Sequence, residues 1–209
     1  IVVAAGPGQV VFAGRNGTYG LFVKIDHGNG IATCYAHMDK CLVKAGQWVK
    51  AMTDRMAHRG PDGEGLWSHG PVCLGHRRLS IIDLSGGGQP MHSVDGRYTI
   101  VFNGEIYNFA ELKQELAAKG SRFCTSSDTE VILEGYRQWG VDCLSRFNGM
   151  FAFALWDAHE QRLFCARDPF GKKPFFYTVQ QGKLHFASEL TALEKIPGLS
   201  LTMQPEAVM

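Results

Sequence analysis

The chain has 209 residues, which is enough for one large domain or two small ones. Hydrophobic residues make up 45% and charged residues 20%, as in an ordinary globular protein, and the formal net charge of +1 gives no electrostatic reason to expect a nucleic acid or an anionic membrane as partner. No apolar run approaches the roughly 20 residues of a membrane span and the start carries no signal-peptide pattern, so we expect a cytoplasmic protein.

Residues 1–51 have the pattern of short strands joined by turns. Asn-Gly dipeptides at 16–17 and 29–30 separate the apolar runs, and Asn-Gly favours a tight hairpin because both turn positions need positive φ. The runs cover 9–13, 21–25 and 31–35. The pattern predicts β-hairpins and indicates no helix in this segment.

Two helices are predicted in the remainder of the chain. The first follows Asn108, which makes a capping-box pattern with Glu111, and it stops at Gly120. The second starts near Ser127 and ends at Gly140. Both helices carry apolar residues at helical spacing, so each has one face suited to packing on a sheet.

Strand-like runs lie before, between and after these helices. Turn-like segments at 157–161 and 180–183 join neighbouring runs as antiparallel hairpins, which favours an α+β fold over a parallel α/β sheet. The predicted strands are Val72–Ile82, Tyr98–Ile106, Met150–Trp156, Arg162–Ala166, Phe175–Val179 and Leu184–Ala187.

The cysteines and histidines do not form a metal-binding or disulfide pattern. None of the six cysteines makes a C-x-x-C pair, and the eight histidines include no H-x-H. Buried free thiols in a reducing compartment are therefore favoured, and we expect no metal and no cofactor. The cysteines are Cys34, Cys41, Cys73, Cys124, Cys143 and Cys165.

Seven motifs in the second part of the chain carry a family resemblance. They are HRGPDGEG (58–65), GHRRLSIIDL (75–84), FNGEIYNF (102–109), SSDTEV (126–131), FNGMFAFALWD (147–157), ARDPFGKKPFFY (166–177) and FASEL (186–190). In order and spacing they resemble the glutaminase domain of glutamine-hydrolysing asparagine synthetases, from about Met52 to Met209. The resemblance implies an αββα sandwich of the N-terminal-nucleophile hydrolase type and glutamine as the ligand.

The resemblance assigns the two ends of a bound amino acid to charged residues. Arg78 matches the family's carboxylate-binding arginine, and a planar guanidinium suits both carboxylate oxygens. A solvated strand arginine is the better interpretation of neighbouring Arg77. Asp128 matches the residue that binds the ammonium, although an acidic residue at a helix N-terminus is also favoured by the helix dipole.

The same resemblance predicts an oxyanion hole and a pocket wall. Asn103 and Gly104 match the donors that stabilise the developing negative oxygen, although a glycine there could also mark a simple bulge or turn. Glu105 is expected to help bind the ammonium. Ile81 and Ile82 are expected to line the pocket, with core packing as the alternative for at least one of them.

Residues 1–51 resemble another family. The YAHMDKCLVKAGQWVK stretch is similar to part of a lysostaphin-type zinc endopeptidase, in which His37 would match a catalytic histidine. The metal ligands of that family have no counterpart here. An ordinary histidine is therefore the favoured interpretation of His37.

The two resemblances together indicate a chimera of a hairpin segment at 1–51 and a truncated amidotransferase domain at 52–209. Because loss of a central strand leaves backbone groups unpaired, we expect a strand from 1–51 to pair with the second part. A non-catalytic chimeric fold is the alternative, and a murein-type zinc endopeptidase fragment is disfavoured. Glutamine is the expected partner, with neither nucleic acid nor membrane, and homo-oligomerisation is left open.

We predict that a chain starting at Ile1 releases no ammonia from glutamine. The family uses an N-terminal cysteine whose α-amino group, with a pKa of about 7.7–8.0, is the base, and no cysteine has that position here. Cleavage before Cys41 would expose one, but the spacing to HRGPD is short. Intact mass together with an ammonia-release assay tests this. Turnover by the Ile1 form that alkylation abolishes would contradict it.

Overall fold

The computed structural model describes residues 48–79, 87–180 and 182–199 with their side chains, and the backbone of Gln47 and of three earlier strands. These strands are β1 (Gln9–Arg15), β2 (Leu21–Gly28) and β3 (Ile31–Tyr35), which form an antiparallel sheet in the order β1-β2-β3. The strands lie where the sequence predicts them. The Asn-Gly turns and His37 fall outside the described residues.

The remaining elements alternate strands with helices. They are α1 (Gln47–Arg55), a 3-10 turn (Ala57–Arg59), β4 (Gly63–His69), β5 (Val72–Arg78), β6 (Met91–His92), β7 (Tyr98–Ile106), α2 (Phe109–Ala118), α3 (Asp128–Trp139), a 3-10 segment (Gly140–Arg146), β8 (Gly149–Asp157), β9 (Arg162–Arg167), β10 (Phe176–Gln180), β11 (Lys183–Ala187) and α4 (Leu190–Leu193). The fold therefore mixes α and β. No helix among the described residues is long and apolar enough to cross a membrane.

An antiparallel sheet in the order β6-β7-β8-β9 is the centre of the structure. Alternation along β7 and β8 gives this sheet two apolar faces. On one face Ile100 and Phe153 belong to the core that α2 and α3 complete with residues such as Leu116 and Ile132. On the other face Val101, Ala154 and Trp156 pack with Leu74 of β5.

The second layer consists of two hairpins, β4-β5 and β10-β11, which are separate two-stranded sheets. A third cluster joins Met52 of α1 with Ala187 of β11 and with Ala192 and Leu193 of α4. Helices α1 and α4 therefore pack together beside the β10-β11 hairpin.

The two predicted helices form, but only one uses the expected cap. Ser127 caps α3, since its hydroxyl oxygen accepts the N–H of Thr129 at 3.2 Å. The capping box predicted at Asn108 is wrong. The Asn108 amide instead accepts the N–H of Asn148 at 3.0 Å and donates to the carbonyl of Arg146 at 2.9 Å, which ties the start of α2 to the segment before β8.

Three further expectations need correction. Helix α1 begins at Gln47, inside the segment expected to lack helices, and it crosses the proposed boundary at 51/52. Strand β4 was not predicted. Among the described strands, β1, β2 and β3 pair only with one another, so the expected pairing of an early strand with the second part is not seen there.

The described cysteines are free thiols. Cys143 is buried, and Cys73 and Cys165 are half-buried. Cys124 is exposed, which corrects the expectation that the thiols are buried.

Asp168 organises the loop that follows β9. This side chain is 4% exposed, and its carboxylate accepts the N–H groups of Phe151, Phe170, Lys172 and Lys173 at 2.9–3.3 Å. One buried carboxylate thus accepts hydrogen bonds from four backbone donors. The loop folds back on β8 as a result.

We predict that Asp168→Ala destabilises the fold by about 2–4 kcal/mol, because four backbone N–H groups, of which that of Phe151 is buried, lose their acceptor. Asp168→Asn, which keeps one oxygen acceptor, should lose less. Urea denaturation measures both free energies of unfolding, with Asp142→Ala as the control, since Asp142 is an exposed acid. Equal stability of Asp168→Ala and the control would show that the loop does not depend on this carboxylate.

Candidate functional site

A cleft of about 300 Å³ opens where β5, β7 and the N-terminus of α3 meet. The same cleft receives residues from the segment before β6 and from the loop organised by Asp168. Its walls are Met56, Arg59, Gly75–Leu79, Gly87, Gln89, Phe102–Glu105, Ser127–Thr129, Lys173 and Ser188.

The edge of β7 that faces away from β8 forms one wall of this cleft. Phe102 N–H donates to Gln89 Oε1 at 2.6 Å, and Ile106 N–H donates to Asp128 Oδ2 at 3.0 Å. Since residues at i and i+2 of an antiparallel strand direct their N–H groups to the same edge, Gly104 N–H also points away from β8. Gly104 therefore lies in the cleft wall between two strand positions whose N–H groups are bound by side chains.

Glycine is required at position 104 by the close approach of β8. A Cβ there would collide with the carbonyl oxygen of Met150 and lie 2.7 Å from Phe151 Cα. A Cβ on Gly149 would collide in the same way with the carbonyl oxygen of Glu105. Both glycines lie in narrow, non-hydrogen-bonded pairs of the ladder, where opposing Cα atoms are closest.

Asp128 makes the inner end of the cleft acidic. This side chain is 6% exposed, and its burial raises the pKa of the carboxyl group against the opposing effect of the Ile106 and Thr129 N–H groups. The nearby charge of Glu105 raises it further. A cationic group in the cleft would offset both effects and stabilise the ionised form.

Arg78 lies across the cleft at the end of β5. Its carbonyl accepts the N–H of Asp62 at 3.0 Å, and Gly60 packs so tightly on the Arg77–Arg78 backbone that a Cβ would clash. The HRGPD motif therefore holds the end of β5 in place. Lys173 and Arg59 line the same cleft, and Arg59 pairs with Glu189 at 3.2 Å.

Arg77 has a structural role, which corrects its interpretation as a solvated arginine. Its side chain is 16% exposed, and it donates from Nε to the carbonyl of Thr53 at 3.0 Å and from Nη2 to Asp54 at 2.6 Å. The guanidinium therefore anchors β5 to helix α1.

The structure brings five of the predicted site residues to this one cleft. These are Arg78, Asn103, Gly104, Glu105 and Asp128. Ile81 and Ile82 lie outside the described residues. The roles given to all seven remain predictions.

Two residues at the cleft, His76 and Gln89, are not among the site residues predicted from the sequence. His76 Nε2 lies 3.1 Å from the carbonyl oxygen of Phe102, and because a carbonyl can only accept, Nε2 carries the proton. His76 Nδ1 is buried and has no hydrogen-bond partner in the described part of the chain. His76 lies within the GHRRLSIIDL motif, and Gln89 lies in the glycine-rich GGGQP segment that follows it. Their place in or next to a motif was the available signal.

Burial keeps His76 neutral. It lowers the pKa of the imidazole to about 4, with the charge of Arg78 acting in the same direction and the Phe102 carbonyl opposing it. His76 also belongs to the wall of a second groove, of about 130 Å³, between α1, β5, β11 and the β7-β8 pair. Cys73 lines that groove and is absent from the walls of the cleft.

Comparison with known proteins identifies the class to which this fold and site belong. Residues 29–209 match the family of glutamine amidotransferase domains, so the chain belongs to that family. The match begins within the segment that the sequence analysis set apart as 1–51.

The relatives define an asparagine-synthetase-type amidotransferase domain. The chain is 43% identical over 169 residues to asparagine synthetase [glutamine-hydrolyzing] 3 of Bacillus subtilis, covering 80% of this chain and 28% of the relative. It is 49% identical over 145 residues to asparagine synthetase [glutamine-hydrolyzing] 1 of the same organism, covering 69% of this chain and 23% of that relative. The chain thus spans about a quarter of the length of these relatives.

Two further matches widen this comparison. Amidase chry2 of Gibberella zeae is 42% identical over 161 residues, covering 76% of this chain and 23% of the relative. The solved structure of the glutamine phosphoribosylpyrophosphate amidotransferase of B. subtilis, complexed with ADP and GMP, superposes with a TM-score of 0.61 at 25% identity, covering 72% of this chain and 41% of that one. The mixed α and β fold is shared with that amidotransferase.

We predict that stability falls as the pH drops from 7.0 to 4.5 in a way that depends on His76. Its folded pKa of about 4 lies below the ordinary value of 6.5, so the unfolded chain takes up the proton first. The titration of this group therefore lowers the free energy of unfolding by about 2.5 kcal/mol between pH 7.0 and pH 4.5. His76→Gln, which cannot titrate there, should lack this contribution.

Urea denaturation at both pH values checks this. His159→Gln is the matched control, because His159 is an exposed histidine that does not line the cleft. The same loss of stability in the parent and in His76→Gln would show that this imidazole is not held neutral by the fold.

Proposed function

We propose that this domain binds glutamine in the cleft between Arg78 and Asp128 and presents its side-chain amide for hydrolysis to glutamate and ammonia. In the longer proteins to which it is related, the ammonia would supply asparagine synthesis. The observation that carries the proposal is a cleft lined by Arg78 on one side, by Asp128 on the other, and by Asn103 and Gly104 of β7.

Each polar group of glutamine has a matching group in the cleft. The α-carboxylate suits Arg78, whose planar guanidinium can bind both oxygens. The α-ammonium suits Asp128 and Glu105, and it supplies the cation that the buried carboxyl group of Asp128 lacks. The side-chain carbonyl would then lie against Gly104 N–H and the Asn103 amide.

In the proposed reaction a thiolate attacks the amide carbon. The electron pair of the carbonyl double bond moves to the oxygen, which gives a tetrahedral oxyanion. Gly104 and Asn103 stabilise that oxygen, and a donor of this kind contributes about 3–4 kcal/mol to the transition state in known cases. The amide nitrogen takes up the proton that the thiol lost on ionisation, the C–N bond breaks, and ammonia leaves while a thioester remains. Water then hydrolyses the thioester to glutamate and the free thiol.

The described residues of the cleft include no cysteine to start this sequence. Burial raises the pKa of the Cys73, Cys143 and Cys165 thiols, to about 12 and 11 for the last two, which disfavours the reactive thiolate.

The proposed fold is an αββα sandwich. Its support is the order of the packed layers, in which α2 and α3 cover the β7-β8 sheet, β5 packs on the other face, and α1 and α4 pack against β11. The division into a segment at 1–51 and a domain at 52–209 remains a proposal. Helix α1, which spans the boundary, argues for placing it before Gln47.

We predict that Arg78→Ala weakens glutamine binding by a few kcal/mol, because it leaves the α-carboxylate without its partner in a partly desolvated cleft. Isothermal titration calorimetry measures the change. Arg122→Ala is the matched control, since Arg122 is exposed between α2 and α3 and does not line the cleft. Equal affinities in the parent and in Arg78→Ala would remove Arg78 from the site, and no binding by the parent would refute the proposed function.

A further inference from the structure

The peptide groups of Phe102 are held by two side chains at the cleft. Gln89 Oε1 accepts Phe102 N–H at 2.6 Å, and His76 Nε2 donates to the Phe102 carbonyl at 3.1 Å. Strand β6 is paired with β7 only at Ile100 and Thr99. The side chains of Gln89 and His76 thus bond to the backbone of β7 just beyond the stretch that is paired with β6.

These contacts come immediately before the pair of donors proposed to bind the side-chain carbonyl of glutamine. The Phe102 carbonyl belongs to the peptide unit that leads into Asn103, and Gly104 N–H lies on the same strand edge as Phe102 N–H. A rotation of the Phe102 peptide would therefore change the position of the Asn103 side chain and the direction of Gly104 N–H. Donor placement matters because hydrogen bonds weaken steeply with distance and angle.

We infer that Gln89 and His76 are positioning residues, which fix the Phe102 peptide and so set the geometry of the Asn103 and Gly104 donors toward the glutamine side-chain carbonyl. This inference rests on the proposed function. Neither residue needs to touch the ligand for this role. His76 in addition presents an unpartnered, buried Nδ1 in the wall shared by the cleft and the second groove.

Substitutions at position 89 separate this role from general stability. Gln89→Leu keeps the size of the side chain but removes the acceptor, whereas Gln89→Glu keeps an oxygen at the same place. Gln180→Ala is the matched control, because the Gln180 amide also bonds a backbone group, the carbonyl of Gly198 at 3.0 Å, but lies away from the cleft.

The experiment titrates the full chain with L-glutamine and follows both calorimetry and the ¹⁵N–¹H resonance of Gly104. We expect Gln89→Leu to bind glutamine about tenfold more weakly than the parent, as for loss of one well-placed hydrogen bond. We also expect the glutamine-induced shift of the Gly104 resonance to shrink. Gln89→Glu should retain the Gly104 shift, and Gln180→Ala should behave like the parent.

A second pair of variants tests His76. His76→Gln keeps a donor near Nε2 and should retain the Gly104 shift, whereas His76→Leu should lose it. Parental affinity together with a parental Gly104 shift in Gln89→Leu and His76→Leu would overturn the inference. Absence of any glutamine effect in the parent would instead refute the proposed function itself.

Discussion

The site depends on which groups accept hydrogen bonds from the backbone N–H groups along the edge of β7 that faces away from β8. On this edge, side-chain acceptors from Gln89 and Asp128 bind the N–H groups of Phe102 and Ile106, on either side of Gly104. An unpaired strand edge is normally a place where another strand can add. Here two side chains and the N-terminus of α3 cover that edge on either side of Gly104, which lines the cleft.

The charges of the cleft follow from the same arrangement. Asp128 is placed at the start of α3 by the Ser127 cap, and its bond to Ile106 N–H fixes the distance between that helix and β7. The carboxyl group is thereby buried, and its pKa rises. On the other side, the Arg77 contacts with α1 and the Gly60 contact with the β5 backbone fix the end of β5, and Arg78 faces the cleft from there. The helix caps and salt bridges that stabilise the fold thus also set the spacing of the ligand-binding charges.

The sequence predicted the central strands well because burial on both faces leaves a strong local signal. Strand β7 has the predicted bounds, and β8 differs by one residue at each end. The failures came from contacts distant in sequence. Asn108 has the local pattern of a capping box, yet its amide bonds Asn148 and Arg146 about 40 residues away. The partnership of Gln89 with Phe102 could not be seen either, because a glutamine in a glycine-rich segment carries no periodic signal. Arg77 and Arg78 point to opposite faces of one strand. Only the position of α1 shows that Arg77 is the one that anchors the strand to the rest of the fold.

The glycines at 104 and 149 have a consequence for how this domain can change over evolutionary time. Each sits where the opposing strand leaves no room for a Cβ, so the limit on substitution is backbone clearance and not chemistry. Tolerance at these positions should therefore be independent of which amide substrate the cleft accepts. Lineages that alter their ligand would diversify at the charged residues of the walls, while this stretch of paired backbone stays the same.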